Sequence, residues 1–516
     1  MPERGVSKWV IALTVMIPTM IEIIDISVAN VALDHIRGSL SAGIDEATWV
    51  LTSYLVSNAI IIPMSGWLAR MFGRKRYLIM SITLFTVSSI LCGAASSLMM
   101  LVVFRILQGI GGGALQPLSQ AILLETFPPK EHGMAMAIFG VGAMVGPIAG
   151  PLLGGYVTDA LSWRWIFYIN GPIGIIAILM VVLFIQDPPY FEKLKGRIDY
   201  LGIVLLTLGV GALQIILDKG EREAWFQSSF IVYLTIFAGC ALTLLVIREL
   251  YFTERPIINL RLFKNISFTS GNIAMFVTFF NLFGSIVMLP LYVQILMGYS
   301  AFQAGWILAP GGLVTLICMP IAGKLTDKYN PKYILFLGVF LCALATRLMS
   351  KFNLQADFVS IMIPRMVLGM GMAFLFIPLT NLTLSLIPKP EMGYATSIYN
   401  FLRNLGGSFG IAFSTTMITR RSQFHHFRLG EYMHRFNEGF NITLERMKLF
   451  IMGRTGMGQG LAEQAGLQGI YGEMNRQALM KGFNDAFYLL SVFMFMVLFL
   501  VFFLRYKKSD RQDAVH

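Results

Sequence analysis

Charge is scarce in this chain. Asp, Glu, Lys and Arg make up 13% of its 516 residues, against about 25% in a soluble domain. That deficit excludes an ordinary soluble core. With 56% hydrophobic residues, the composition fits a chain solvated by lipid. Cysteine is also rare. Cys92, Cys240, Cys318 and Cys342 all lie inside apolar runs, so no disulfide framework is expected. No phosphate-cradling P-loop, HExxH pair or nucleophile–base pair occurs, which argues against ATP drive and against an enzyme. His425, His426 and His434 have no acid or Cys cluster beside them, so neither metal nor cofactor is expected. The net charge is +12. It lies in alternate short connections rather than in a nucleic-acid patch.

What is abundant is apolar length. Taking about 20 residues per crossing, the spans run roughly over 9–33, 47–69, 77–96, 101–124, 133–158, 165–185, 199–217, 228–249, 268–294, 302–323, 332–349, 357–387, 393–419 and 485–504. The first run carries Glu22 and Asp25 and lacks a cleavage site, so it is a span rather than a signal peptide. Fourteen crossings put both termini on one side. That side's connections, with Arg70, Arg74, Lys75, Arg76, Lys193, Lys195, Arg197, Arg255, Arg261, Lys264, Lys324, Lys328, Lys332, Arg505, Lys507 and Lys508, hold about 22 basic residues against about five opposite. Both termini are therefore expected to be cytoplasmic.

Parts of the first half recur about 257–260 residues later. Arg105-Ile-Leu-Gln-Gly109-Ile-Gly111 resembles Arg365-Met-Val-Leu-Gly369-Met-Gly371, and Gly66–Lys75 resembles Gly323–Lys328. The expected organisation is a six-helix bundle over 1–185, a linker with two extra spans over 186–267, and a second bundle over 268–516. Repeats of this kind build transporters around a midplane site. The fifth span carries Gly142, Gly146, Pro147, Gly150, Pro151, Gly154 and Gly155. Glycines four apart allow close helix approach, and prolines permit a bend.

These motifs together resemble the major facilitator superfamily, and within it the fourteen-span drug:proton antiporters of the EmrB/QacA type. The resemblance rests on Gly66–Lys75 (with Gly73 and Arg74), Arg105–Gly111, Gly142–Gly155, Asp25–Ala32, Trp163–Pro172 and Tyr399–Ser408. It implies an all-α membrane protein with the major facilitator fold, two six-helix bundles plus two central helices. It also implies a multi-pass inner-membrane exporter of lipophilic compounds driven by proton antiport. EmrB-type members work with a periplasmic adaptor and an outer-membrane channel, so these are implied partners. The family loop usually holds Asp where this chain has Arg70; the second-half copy keeps a carboxylate, Asp327.

A charge at mid-bilayer costs about 2.5–3.5 kcal/mol or more, so the deep charges are informative. Glu22 and Asp25, three apart on one helix face, are the candidate proton carriers and would titrate as a coupled pair. Arg105 is the candidate to sense protonation of a nearby acid. Alternatively, either acid pairs structurally with Arg105 or Arg403. Arg403, flanked by Asn400 and Asn404, can hold an anionic group, help a proton path or serve packing. Asn30, Asn58, Gln116, Asn281, Asn381, Arg403 and Asn404 are the candidate cavity residues. Gly66, Gly73, Arg74, Gly142, Gly146, Pro147, Gly150, Gly154 and Asp327 are the candidate conformational residues. Segment 420–484 is expected to form an outward-facing helical structure. Its spaced apolar residues can seal the outer mouth of this chain or cover another protein. The resemblance to EmrB-type members, rather than to QacA-type members that work alone, implies docking of a partner. Two other functions stay open: export of one metabolite or siderophore, and a membrane sensor with transporter ancestry.

Overall fold

Caps written in the sequence start several of the long helices. Ser7, Ser97, Asn265, Ser300 and Asn330 each accept a backbone N–H from the first turn that follows. In the computed structural model, which describes residues 6–188, 198–253, 255–434 and 436–505, sixteen long helices follow. The first half holds α1 (Lys8–Val31), α2 (Trp49–Phe72), α3 (Arg74–Ala94), α4 (Leu98–Gly112), α5 (Leu115–Thr126), α6 (His132–Ala160) and α7 (Asn170–Phe184). A central pair follows, α8 (Tyr200–Lys219) and α9 (Ser229–Ile247). The second half holds α10 (Ile266–Leu291), α11 (Ala301–Lys328), α12 (Pro331–Met349), α13 (Phe358–Leu384), α14 (Met392–Gly430), α15 (Glu438–Thr455) and α16 (Gln459–Phe503). Lys193, Lys195, Arg197, Lys507 and Lys508 lie outside the described residues.

The repeat seen in the sequence is a repeat in packing. α1 packs on α6 as α10 packs on α14, and α2 on α4 as α11 on α13. Gly73 breaks the chain between α2 and α3 at φ 94°, a backbone state that L side chains rarely adopt. The halves meet through α6 against α11 and α2 against α14, and α8 lies against both α2 and α14. The end of α1 near Ser7 and the end of α16 at Leu504 lie at one face, here the terminal face. Lys8 pairs with Glu131 there, and the Arg505 backbone N–H donates to Ser267 Oγ.

Twelve helical stretches among the described residues are long and apolar enough to cross a membrane. α6 and α14 are not among them, yet both lie inside the bundle. The boundaries around 420–484 differ from expectation. α14 runs on to Gly430, and α16 already begins at Gln459, so the segment is mostly a continuation of two crossing helices. Arg421 and His425 both meet Asp485, which levels the two helices beyond the apolar zone. α15 folds back on α16, and no residue of α15 is buried.

Candidate functional site

The two acids of α1 share a face but not an environment. Asp25 Oδ2 accepts from Arg105 Nη1 at 2.6 Å, and both partners are buried. Its Oδ1 accepts from Gln108 Nε2 at 2.9 Å and from Asn170 Nδ2 at 2.8 Å. Arg105 in turn donates from Nε to the Val50 carbonyl and lies over the Tyr54 ring at 4.2 Å. Nη1 also donates to Gln108 Oε1 at 2.9 Å, and these contacts offset the cost of burying the cation. Of the two readings open for Asp25, the structure gives it a charge partner.

Glu22 has neutral donors only within hydrogen-bonding distance. Asn58 Nδ2 donates to Oε1 at 3.2 Å and Gln116 Nε2 to Oε2 at 2.6 Å, with Tyr54 Oη at 3.5 Å. Gln116 uses its other end differently: its Oε1 accepts from Arg403 Nη2 of α14. Glu22, Gln116 and Arg403 thus form one chain of contacts joining the two halves. Asn400 donates to Gln120 at 2.6 Å and Ser65 meets Ser397 at 2.8 Å, both nearer the terminal face. Among the described residues, every direct side-chain hydrogen bond between the halves lies between the terminal face and this level.

At the terminal face the closure is backbone-tight. A Cβ on Gly66 would stand 2.6 Å from the Gly393 carbonyl oxygen, and one on Gly133 2.5 Å from that of Gly323. The Asp327 carboxylate accepts the backbone N–H groups of Gly133 at 2.7 Å and Met134 at 3.0 Å, at the start of α6. A carboxylate suits that positive helix end. Arg70, at the matching place in the first half, lies over the Tyr394 ring at 5.6 Å. Arg74 makes a two-pronged pair with Glu125 at 2.7 and 2.8 Å.

The other expected residues scatter. Gly142, Gly146, Gly150 and Gly154 do line the α6 face against α1, where added side chains would meet Met16, Ile23, Ser27 and Val28. Pro147 lies within α6. Asn58, Gln116 and Arg403 join the Glu22 network, whereas Asn30 is exposed at the end of α1. Asn281 is spent on Thr346 and the Leu490 carbonyl inside the second half. Asn381 and Asn404 are half-buried. Sequence reading missed Tyr54, Gln108, Asn170 and Glu125. Gln108 and Asn170 each had a signal, their places inside the Arg105–Gly111 and Trp163–Pro172 runs, but no role was assigned to them.

A family model described as Major Facilitator Superfamily matches residues 15–411. Multidrug export protein EmrB of Escherichia coli (strain K12) is 35% identical over 503 residues, 97% of this chain and 96% of that relative. Multidrug export protein EmrB of Haemophilus influenzae is 37% identical over 469 residues, 91% of this chain and 92% of the relative. The solved human organic anion transporter MFSD10 superposes with a TM-score of 0.61 at 12% identity, covering 96% of this chain and 100% of that one. That last likeness speaks for the fold alone.

Proposed function

The chain belongs to the Major Facilitator Superfamily, and on that premise we propose that it is a multidrug exporter driven by proton antiport, of the fourteen-crossing EmrB/QacA type. The two EmrB relatives support the substrate class. We take the terminal face as the cytoplasmic face of the inner membrane, a choice that the basic connections support. The three parts 1–185, 186–267 and 268–516 are then two rocking bundles and a central pair.

One observation carries the coupling: the Glu22–Gln116–Arg403 chain of contacts across the halves. A carboxylate at Glu22 draws the Gln116 amide, and Gln116 holds the cation of the opposite half. With the terminal face closed, this reading has the bridge reached from the far face. A proton entering from there neutralises Glu22 and removes the charge that orders the bridge. The halves part at the terminal face, substrate enters from the cytoplasm or inner leaflet, and Glu22 loses its proton to the cytoplasm. Asp25 keeps Arg105 in place and so positions the α2–α4 side of the cavity. The Gly142–Gly154 face lets α1 slide on α6 during the change.

The far extension is the proposed docking site for the adaptor that the family resemblance implies. Its Phe436 is 96% exposed, and Phe450, Leu461 and Tyr471 elsewhere on the extension are exposed too. The test of the whole reading uses everted membrane vesicles and several labelled amphiphiles. Accumulation is expected with an imposed proton gradient and is expected to collapse with a protonophore. Accumulation indifferent to the gradient would remove the antiport assignment.

A further inference from the structure

The repeat retains an arginine but not its partners. Arg105 and Arg365 occupy matching places in the two halves. In the first half Asp25, Gln108 and the Val50 carbonyl satisfy Arg105. Moved by the repeat offset, Asp25 falls on Leu282–Ser285 and Gln108 on Leu368, so neither acid nor amide remains.

Arg365 nevertheless points inward. It shares the buried stripe of α13 with Ile361, Leu368 and Gly369, while Ile363 and Met370 face outward. Its stem lies along α11 at a glycine: a Cβ on Gly311 would stand 2.9 Å from Arg365 Cγ and 3.2 Å from Nε. A slot is therefore built for this side chain. Nε is buried with no hydrogen-bond partner, and no charged group among the described residues faces the guanidinium. The residue as a whole keeps partial exposure. It is the eighth residue of α13, about 10 Å along the helix from its far end. A cation at that depth without a counter-charge is costly.

We propose that Arg365 is an anion-binding site, which takes the carboxylate of a lipophilic acid carried as substrate. The charge missing from the chain arrives with the cargo. A planar guanidinium matches a carboxylate through two parallel N–H donors. The apolar body of the acid would lie among Met362, Met366 and neighbouring apolar side chains of α13. The inference rests on the exporter reading for its substrate class.

The test is binding to the full chain in nanodiscs without any gradient, so a failure of proton coupling would leave it readable. The probes are radiolabelled laurate and the cation tetraphenylphosphonium. Arg365→Met keeps the stem, removes the buried charge and should fold at least as well as the wild type. It is expected to weaken laurate binding at least about tenfold, with tetraphenylphosphonium within about twofold. Arg365→Lys should recover part of the laurate affinity. Discs with and without anionic phosphatidylglycerol separate a lipid phosphate from the substrate carboxylate. Unchanged laurate binding, an equal loss for both probes, or a laurate loss seen only with phosphatidylglycerol would each overturn the proposal.

Discussion

Glu22 and Asp25 stand three positions apart, yet their substitution should have different consequences. Asp25→Asn leaves Arg105 buried without its charge partner, a loss of about 3–5 kcal/mol. Thermal unfolding of the purified protein should therefore shift down strongly. Adding Arg105→Gln should recover part of that loss, because the orphaned charge goes too. Glu22→Gln keeps an acceptor for Asn58 or Gln116 and should unfold near the wild-type temperature. Equal destabilisation by the two single changes would contradict the division of roles. The three ionisable residues were legible in the sequence because a charge stands out in an apolar run. Asn170, Tyr54 and Gln108 were not, since neutral polar residues are common in spans and only the fold brings them to Asp25. The two acids, expected as a pair, stand in two environments, because Arg105 reaches one carboxylate and not the other.

Helix existence was legible from apolar length, whereas helix extent was not. α14 and α16 continue beyond the bilayer as polar, half-exposed helices, where the apolar signal ends but the backbone hydrogen bonds do not. The glycine face of α6 was legible as a pattern, and its partner α1 only in three dimensions. Gly146→Leu or Gly150→Leu should drive a side chain into Ile23 or Ser27. Overpacking of this kind costs about 1–3 kcal/mol. Folded protein with at least about tenfold slower export is expected, and wild-type export rates would return this face to ordinary packing. The far extension makes a separable element. Since Arg421 and His425 sit level with Asp485, residues 430–478 can be replaced by a short linker. Such a protein should retain gradient-driven uptake in everted vesicles, yet lose cellular resistance and co-purification with an adaptor. Full cellular resistance would refute the docking role.

For the whole molecule, sidedness and closure must agree. Cysteine placed at Lys75 or Lys332 should resist impermeant thiol reagents in intact cells, since both belong to the terminal face. Labelling from outside would invert the topology. Two-half organisation was readable from the internal repeat, but which face is closed was not. Closure depends on the Gly66–Gly393 and Gly133–Gly323 approaches and on Asp327 at the start of α6, contacts between residues far apart in the chain. The Arg70 departure also takes on meaning only at this scale: the two matching loops close by different chemistry, a carboxylate on a helix end in one half and a guanidinium on a tyrosine ring in the other. The central claim is that protonation at Glu22 couples the bridge between the halves to transport. Its most direct measurement compares, in proteoliposomes, uphill accumulation of a labelled amphiphile with gradient-free counterflow of the same compound. Glu22→Gln is expected to retain counterflow and lose uphill accumulation. Full gradient-driven accumulation by Glu22→Gln would contradict the account.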